Sequence, residues 1–330
     1  MEELESEIDS MLNKIPDSKF IVIDCEFSGI NPKPDSVRTL DDYLLALKED
    51  VEEYALLQIG FCLATYSNSS AEAKWILHPY NFYTYSSEIY NTIFLNDTLL
   101  WLRDNGFSLD RWVDEGCVSL LKGMFRVDFK RLGDMHSDSV SFITKRTRNN
   151  GLHHLIKSII EYRIPLVFHN GMLDILHLYD KFIGPLPENP VEISREITRF
   201  FVGGIFDTKV IGRYLFEKLD YSLLNMHDMN QIAKLSLDRA HLEYLDKNTG
   251  KINDKLFHEA GFDAFITAMV FSAELGILAR TDDLNADELL DFREDKRNRG
   301  NHIHKLINCY NIHDPIDQTI YNFKEHSKQG

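Results

Sequence analysis

The segment FIVIDCEFSGI (20–30) constrains this chain more than any other. FIVI is a short run of apolar, largely β-branched residues, the kind that forms a central strand covered on both faces. Asp24 and Glu26 stand two residues apart, so in an extended backbone both side chains leave from the same face. A buried strand that ends by turning two carboxylates to one side requires compensation, and the usual compensator is a cation. Oxygen ligands alone suit a hard ion such as Mg²⁺ or Mn²⁺.

Two further segments supply matching groups. PLVFH (165–169) reads as a second buried strand and NGMLDILHLYDKF (170–182) as the helix after it, with Asp174 about one turn in. HEAGFDAFITAMVFSAELGILA (258–279) places Phe262, Phe265, Ile266, Met269, Val270 and Ala273 at helical spacing. His258 precedes Asp263 by five residues, and five helical steps turn two side chains roughly 140° apart. The pair converges on one site only if His258 lies on a loop ahead of the helix, which Gly261 can start. The pattern is a histidine above a carboxylate-held metal.

The set Asp24-x-Glu26, Asp174, and His258 five residues before Asp263 resembles the DEDDh 3′–5′ exonucleases of ribonuclease-H-like fold. The words IDCEFSGI (23–30), LLQIGFCLATY (56–66), NFY (81–83), LRDNGFSLDRW (102–112), HNGMLD (169–174), PLPE (185–188), GGIFDTK (203–209) and HEAGFDAF (258–265) narrow the likeness. They are similar to those of the poly(A)-specific ribonuclease family of deadenylases and RNA 3′-end trimmers. The resemblance implies an α/β domain with a mixed central sheet flanked by helices. It implies a metal-dependent 3′–5′ exoribonuclease acting on single-stranded RNA with a free 3′-OH, poly(A) and small-RNA tails included, and releasing 5′-nucleoside monophosphates. Two divalent cations, Mg²⁺ with Mn²⁺ as a substitute, are then held by Asp24, Glu26, Asp174 and Asp263, and His258 is the general base. A homodimer, or an RNA–protein complex that supplies the substrate, belongs to the same implication. Two other readings of the fold stay open: a DNA-directed 3′–5′ exonuclease, and a catalytically inactive adaptor that binds RNA or protein.

A second tier of residues has two readings each. Phe27 and Ser28 directly follow the acidic pair, either touching the terminal nucleotide or serving packing and the turn. His169 ends its strand beside Asp174, where it meets substrate or orients the turn. Asp207 in FDTK reads as a helix N-cap rather than a ligand. Lys145, Arg146 and Arg148 are candidate phosphate contacts, whereas Lys296-Arg297-Asn298-Arg299 reads as a solvated loop.

Composition bounds the partners. A net charge of −16, from 36 basic and 52 acidic side chains, argues against tight, sequence-blind backbone binding over a long footprint. Part of that acidity is the metal cage itself, so a nuclease is not excluded. The cysteines at 25, 62, 117 and 309 form no CxxC pair. With no signal-peptide pattern and no apolar run of membrane length, the expectation is an intracellular chain, in nucleus or cytoplasm, that meets no membrane. Residues 1–280 read as the catalytic domain and 281–330 as an extension of helices wrapped on its outside. A helix at 2–14 leads to strands at 19–25, 54–66 and 73–79. Helices follow at 39–53, twice within 94–117, and at 151–162, 171–183, 191–201, 207–218 and 222–234, with a turn-rich insert at 244–252. The irregular interval 118–150 is too short for the RNA-binding module that some relatives insert there.

Overall fold

A computed structural model describes residues 2–32, 37, 39–67, 74–85, 92–118, 151–219, 236–237, 258–286, 288–290, 301–311 and 320–328. Helix α1 (Glu2–Lys14) leads into strand β1 (Phe20–Phe27). Helix α2 (Leu40–Glu53) begins at a reciprocal cap, in which Asp42 N–H donates to Thr39 Oγ1 and Thr39 N–H donates to the Asp42 carboxylate. It feeds β2 (Leu56–Ser67), which turns into β3 (Lys74–Tyr85). Short helices α3 (Asn96–Asp104) and α4 (Leu109–Glu115) precede the brief strand β4 (Cys117–Val118). Helix α5 (Gly151–Glu161), strand β5 (Leu166–Phe168) and helices α6 (Met172–Phe182) and α7 (Pro190–Phe200) follow. Strand β6 (Ile205–Asp207), helix α8 (Thr208–Leu219), strand β7 (Ser236–Leu237) and the long helix α9 (Ala260–Asp282) complete the main body.

The sheet runs β4-β3-β2-β1-β5-β6, with β7 also on β3. β1, β2 and β3 form an antiparallel meander, whereas β5 and β6 add in parallel on the other side of β1. This is the mixed sheet flanked by helices that the alternation of segments predicts. β1 sorts its side chains by the period of two. Ile21, Ile23, Cys25 and Phe27 join the core beneath α1, α2, α5, α6 and α7, while Phe20 and Val22 join the opposite core, against α8 and α9. Asp24 and Glu26 continue the Phe20–Val22 row, so the acidic pair faces α9.

Three expectations need correction. β3 does not stop at Pro79 but continues to Tyr85. Pro79 lies within the β2 ladder, opposite Cys62, while among the described residues the other side of β3 is paired by β7 at Ile76 and Leu77 and by β4 at Thr84 and Tyr85, away from the proline. The C-terminal region is more than helices on the outside. After α10 (His302–Leu306) come β8 (Cys309–Asn311), its antiparallel partner β9 (Ile320–Asn322) and α11 (Phe323–His326). Tyr310 and Phe323 are fully buried in the first core, edge to face at 4.8 Å. Asn308 stitches this region to the sheet edge: its backbone N–H donates to the Ile205 carbonyl and its side-chain oxygen accepts the Ile205 N–H. Two isolated aromatics in a polar stretch carry no periodicity from which this could be read. Finally, α9 is long and apolar enough to cross a membrane, contrary to the expectation of no such run, but most of it is buried as a core helix, with Phe271 against Phe20 at 4.8 Å. The segments 118–150, 222–234 and 244–252 lie wholly or almost wholly outside the described residues.

Candidate active site

The end of β1 sets the floor. Register places Asp24 opposite Gly60 and Glu26 opposite Gln58, while Gly60 in turn lies opposite Asn81 of β3. The start of α9 docks onto this row. The Ala260 N–H donates to Gln58 Oε1 at 3.0 Å and the Gly261 N–H to Asn81 Oδ1 at 3.1 Å, while Asn81 Nδ2 donates to Glu259 Oε1 at 2.8 Å. Two of the helix's otherwise orphaned amides are thus satisfied by side chains from two neighbouring strands. The approach is close enough to demand glycine: a Cβ at Gly60 would stand 2.0 Å from the Ala260 carbonyl.

This docking delivers Asp263 to the acidic row. His258 precedes the helix in a left-handed conformation (φ 71°), so the loop position required by the five-residue spacing is the one observed. Its backbone N–H donates to Asp263 Oδ2 at 3.1 Å, and its ring Nδ1 lies 3.9 Å from the same oxygen. Trp101 of α3, 42% exposed, packs edge-on against the imidazole with centroids 4.5 Å apart.

Asp174 arrives from the other layer. Asn170, at φ 57°, turns the chain out of β5, and its N–H donates to Asp207 Oδ1 at 2.9 Å. The same oxygen accepts the Lys209 N–H at 2.9 Å, so Asp207 caps α8 as its sequence context predicts. His169 Nδ1 is 2.8 Å from Thr208 Oγ1, which is the turn-orienting role. The cap also holds in place the turn that presents Asp174, whose carboxylate is further met by the thiol and backbone amide of Cys25.

Of the second-tier residues, Ser28 has the contacts of its packing-and-turn reading. It is fully buried, and its hydroxyl accepts the Ala55 N–H at 2.9 Å, which ties the turn after β1 to the start of β2. Phe27 is buried too and stacks on His177 of α6, centroids 4.3 Å apart. Lys145, Arg146 and Arg148 lie outside the described residues. Sequence reasoning missed Gln58, Gly60, Asn81, Trp101 and His177. The signal for the first three was polar or absent side chains inside otherwise apolar strand runs.

Burial and mutual repulsion dominate the electrostatics. Burial first, then Asp174, Glu26 and Asp263, hold the Asp24 carboxyl well above the usual carboxylate range. Burial, then Asp263 and Asp174, push Glu26 up to about 8. Asp174 rises to about 7 through burial, with the Cys25 contacts opposing it. Asp263 is raised by burial and eased by the His258 amide. No basic side chain is among the influences on Asp24, Glu26 or Asp174. Four buried carboxyls converging here, with the His258 imidazole beside Asp263 as the one basic group met among the described residues, are a donor set fitted to hard divalent ions.

A mixed sheet in this order, with an acidic pair at the end of its central strand and carboxylates added by helices of both layers, is a ribonuclease-H-like domain. The Mg²⁺- and Mn²⁺-bound structure of S. pombe Pop2p shares the fold: TM-score 0.51 over 85% of this chain and 90% of that one, at 16% identity. Residues 1–123 and 130–271 match the CAF1 family ribonuclease model, and the chain belongs to that family. The Bombyx mori pre-piRNA 3′-exonuclease trimmer is 30% identical over 128 residues, 37% of this chain and 24% of its own length. The Mus musculus poly(A)-specific ribonuclease PNLDC1 is 19% identical over 376 residues, 82% of this chain and 69% of its own length. The Xenopus laevis poly(A)-specific ribonuclease PARN is 29% identical over 150 residues, 42% of this chain and 22% of its own length. This chain therefore spans only about a quarter of the first of these relatives.

Proposed function

We propose that the chain is a metal-dependent 3′–5′ exoribonuclease that trims RNA 3′ ends and releases 5′-nucleoside monophosphates. The observation that carries this reading is the convergence of Asp24, Glu26, Asp174 and Asp263, drawn from a strand and two helices, with His258 alongside. The names of the trimmer and poly(A)-specific relatives support RNA as the substrate class. Asp24, Glu26, Asp174 and Asp263 would hold divalent cations, which when bound activate water and neutralise charge on the departing 3′ oxygen.

The chain's own residues do the rest. His258 accepts the proton of the attacking water at a ring nitrogen, from a loop beside the acidic row. The His258 amide and the Gln58 and Asn81 side chains keep Asp263 and the start of α9 in register with Asp24 and Glu26. The Asp207 cap fixes the turn that aims Asp174. The experiment is incubation of 3′- and 5′-labelled RNAs of several tail compositions with Mg²⁺, resolved nucleotide by nucleotide beside matched DNA. The expected result is stepwise shortening from a free 3′-OH and none from a 3′-phosphate. Fragments from a circular RNA, or equal trimming of DNA, overturn the assignment.

A further inference from the structure

Strand β6 is held along both edges, and its outer edge belongs to the C-terminal segment. The Gly204 carbonyl accepts the Leu166 N–H of β5 at 2.9 Å, so the Ile205 amide and carbonyl point to the opposite edge. Asn308 takes both of them. Its backbone N–H donates to the Ile205 carbonyl at 2.7 Å, and its Oδ1 accepts the Ile205 N–H at 3.1 Å. It does so in a left-handed conformation (φ 59°), which asparagine adopts more readily than most residues with a side chain. Two residues further along, β6 meets the site. Asp207 receives the Asn170 N–H, while Thr208 Oγ1 lies 2.8 Å from His169 Nδ1 and donates to the Phe168 carbonyl at 3.3 Å. The turn from β5 to Asp174 thus hangs on the end of β6. The C-terminal segment also reaches the same acids: Tyr310 is fully buried, and burial, then Asp207, Cys309 and Asp174, hold its phenol well above the usual range. Asn308 lies beyond residue 271, where the match to the family model ends.

We propose that Asn308 is a positioning residue for the trimming reaction: by fixing β6 it fixes the Asp207 turn, and through that turn the Asp174 carboxylate. A buried backbone amide without an acceptor is costly, so loss of Oδ1 makes the Ile205 edge shift or admit water. The displacement passes to the turn because Asp207 and Thr208 hold it directly. The C-terminal segment is therefore a working part of the site, although none of its residues touches the acidic row. The role in trimming rests on the exonuclease reading; the coupling of Asn308 to the Asp174 turn does not.

The test is amide hydrogen exchange of the metal-free full chain, followed by its Mn²⁺ affinity without RNA. Asn308→Gly suits the left-handed backbone and removes the side-chain acceptor. Exchange across 169–174 should quicken by about tenfold or more. Mn²⁺ affinity should fall about tenfold, the lower end of the loss when a group that orients a metal ligand is removed. Asn308→Asp keeps the acceptor and should restore the protection. His326→Ala severs the other end of the segment, where the imidazole bridges Ser194 Oγ at 3.0 Å and Asp41 Oδ1 at 2.9 Å. It should lower the thermal midpoint yet leave both readouts unchanged. Exchange across 169–174 that is unchanged in Asn308→Gly, unrestored in Asn308→Asp or equally quickened in His326→Ala overturns the assignment, as does Mn²⁺ affinity that survives Asn308→Gly. Should Asn308→Gly not fold, the wild type in mild denaturant decides: the Ile205 amide and the turn 169–174 should open together before global unfolding, and separate opening overturns the assignment. Trimming is read apart. Trimming without the Asn308 dependence sinks the positioning role alone, and that dependence without trimming sinks the exonuclease reading alone.

Discussion

Asp24 is the carboxyl most crowded by its neighbours, with burial and three other acids all working against its charge. Asp24→Asn keeps the shape and removes the charge, so it should abolish trimming while raising the thermal midpoint of the metal-free protein. Retained trimming, or a lowered midpoint, would count against the site as described. His177 presents the converse problem. It is fully buried against Phe27, neither ring nitrogen has a hydrogen-bond partner among the described residues, and burial followed by Lys181 depresses its pKa well below the usual value. The folded state keeps the ring neutral while the unfolded chain protonates it below about pH 6.5, so stability falls as pH drops through that value. His177→Phe retains the stack and removes the unsatisfied nitrogens. It should stabilise by about 1–3 kcal/mol, with the gain growing towards acid pH in thermal melts. An equal gain at acid and alkaline pH would mean that the imidazole's ionisation plays no part.

Helix α9 is the element on which the site turns, because its first turn sets both Asp263 and the His258 loop. Gly60→Ala drives a methyl group into the Ala260 carbonyl. The expected outcome is a drop in kcat of roughly 10²-fold, the loss attached to misplacing a catalytic group by about 1 Å, with circular dichroism unchanged. Normal kcat would show that α9 tolerates the displacement. The existence of α9, and the need for His258 to precede it, were legible in the sequence because a five-residue spacing and a run of helical apolar positions leave few arrangements. The acidic pair on β1 was legible for the same kind of reason, since a strand's period fixes which side chains share a face. What positions α9 was not legible: Gln58 and Asn81 act across strands whose register is set by pairing, and no local pattern encodes that pairing. Ser28 stayed open between two roles because it follows the acidic pair directly, and only the fold shows its hydroxyl turned to Ala55. The C-terminal hairpin was hidden because its two buried aromatics are thirteen residues apart, Tyr310 and Phe323, without helical or strand rhythm between them.

At the scale of the molecule, the acidic cluster couples stability to pH and to cations. A carboxyl that holds its proton more tightly folded than unfolded makes the folded state the better proton binder, between the unfolded range near 4 and the folded values of about 7 for Asp174 and about 8 for Glu26. Metal-free stability should therefore fall as pH rises across that window. Added Mg²⁺ or Mn²⁺ should restore the thermal midpoint most at its alkaline end, and a midpoint indifferent to both would contradict the charge cluster. The net charge of −16 adds a second expectation. RNA should be held locally and briefly, so that trimming of poly(A) is distributive and weakens with salt; long runs on one molecule without a partner would refute it. The ligands also have an ancestry in the fold: Asp24 and Glu26 belong to the sheet, Asp174 to a helix on one side of it, and Asp263 to a helix on the other. An intermediate with only one layer docked has at most three of the four carboxyls in place. High cation affinity should thus appear last in refolding, with the docking of the second layer, so a cation-sensitive signal can serve as a clock for the final step of assembly.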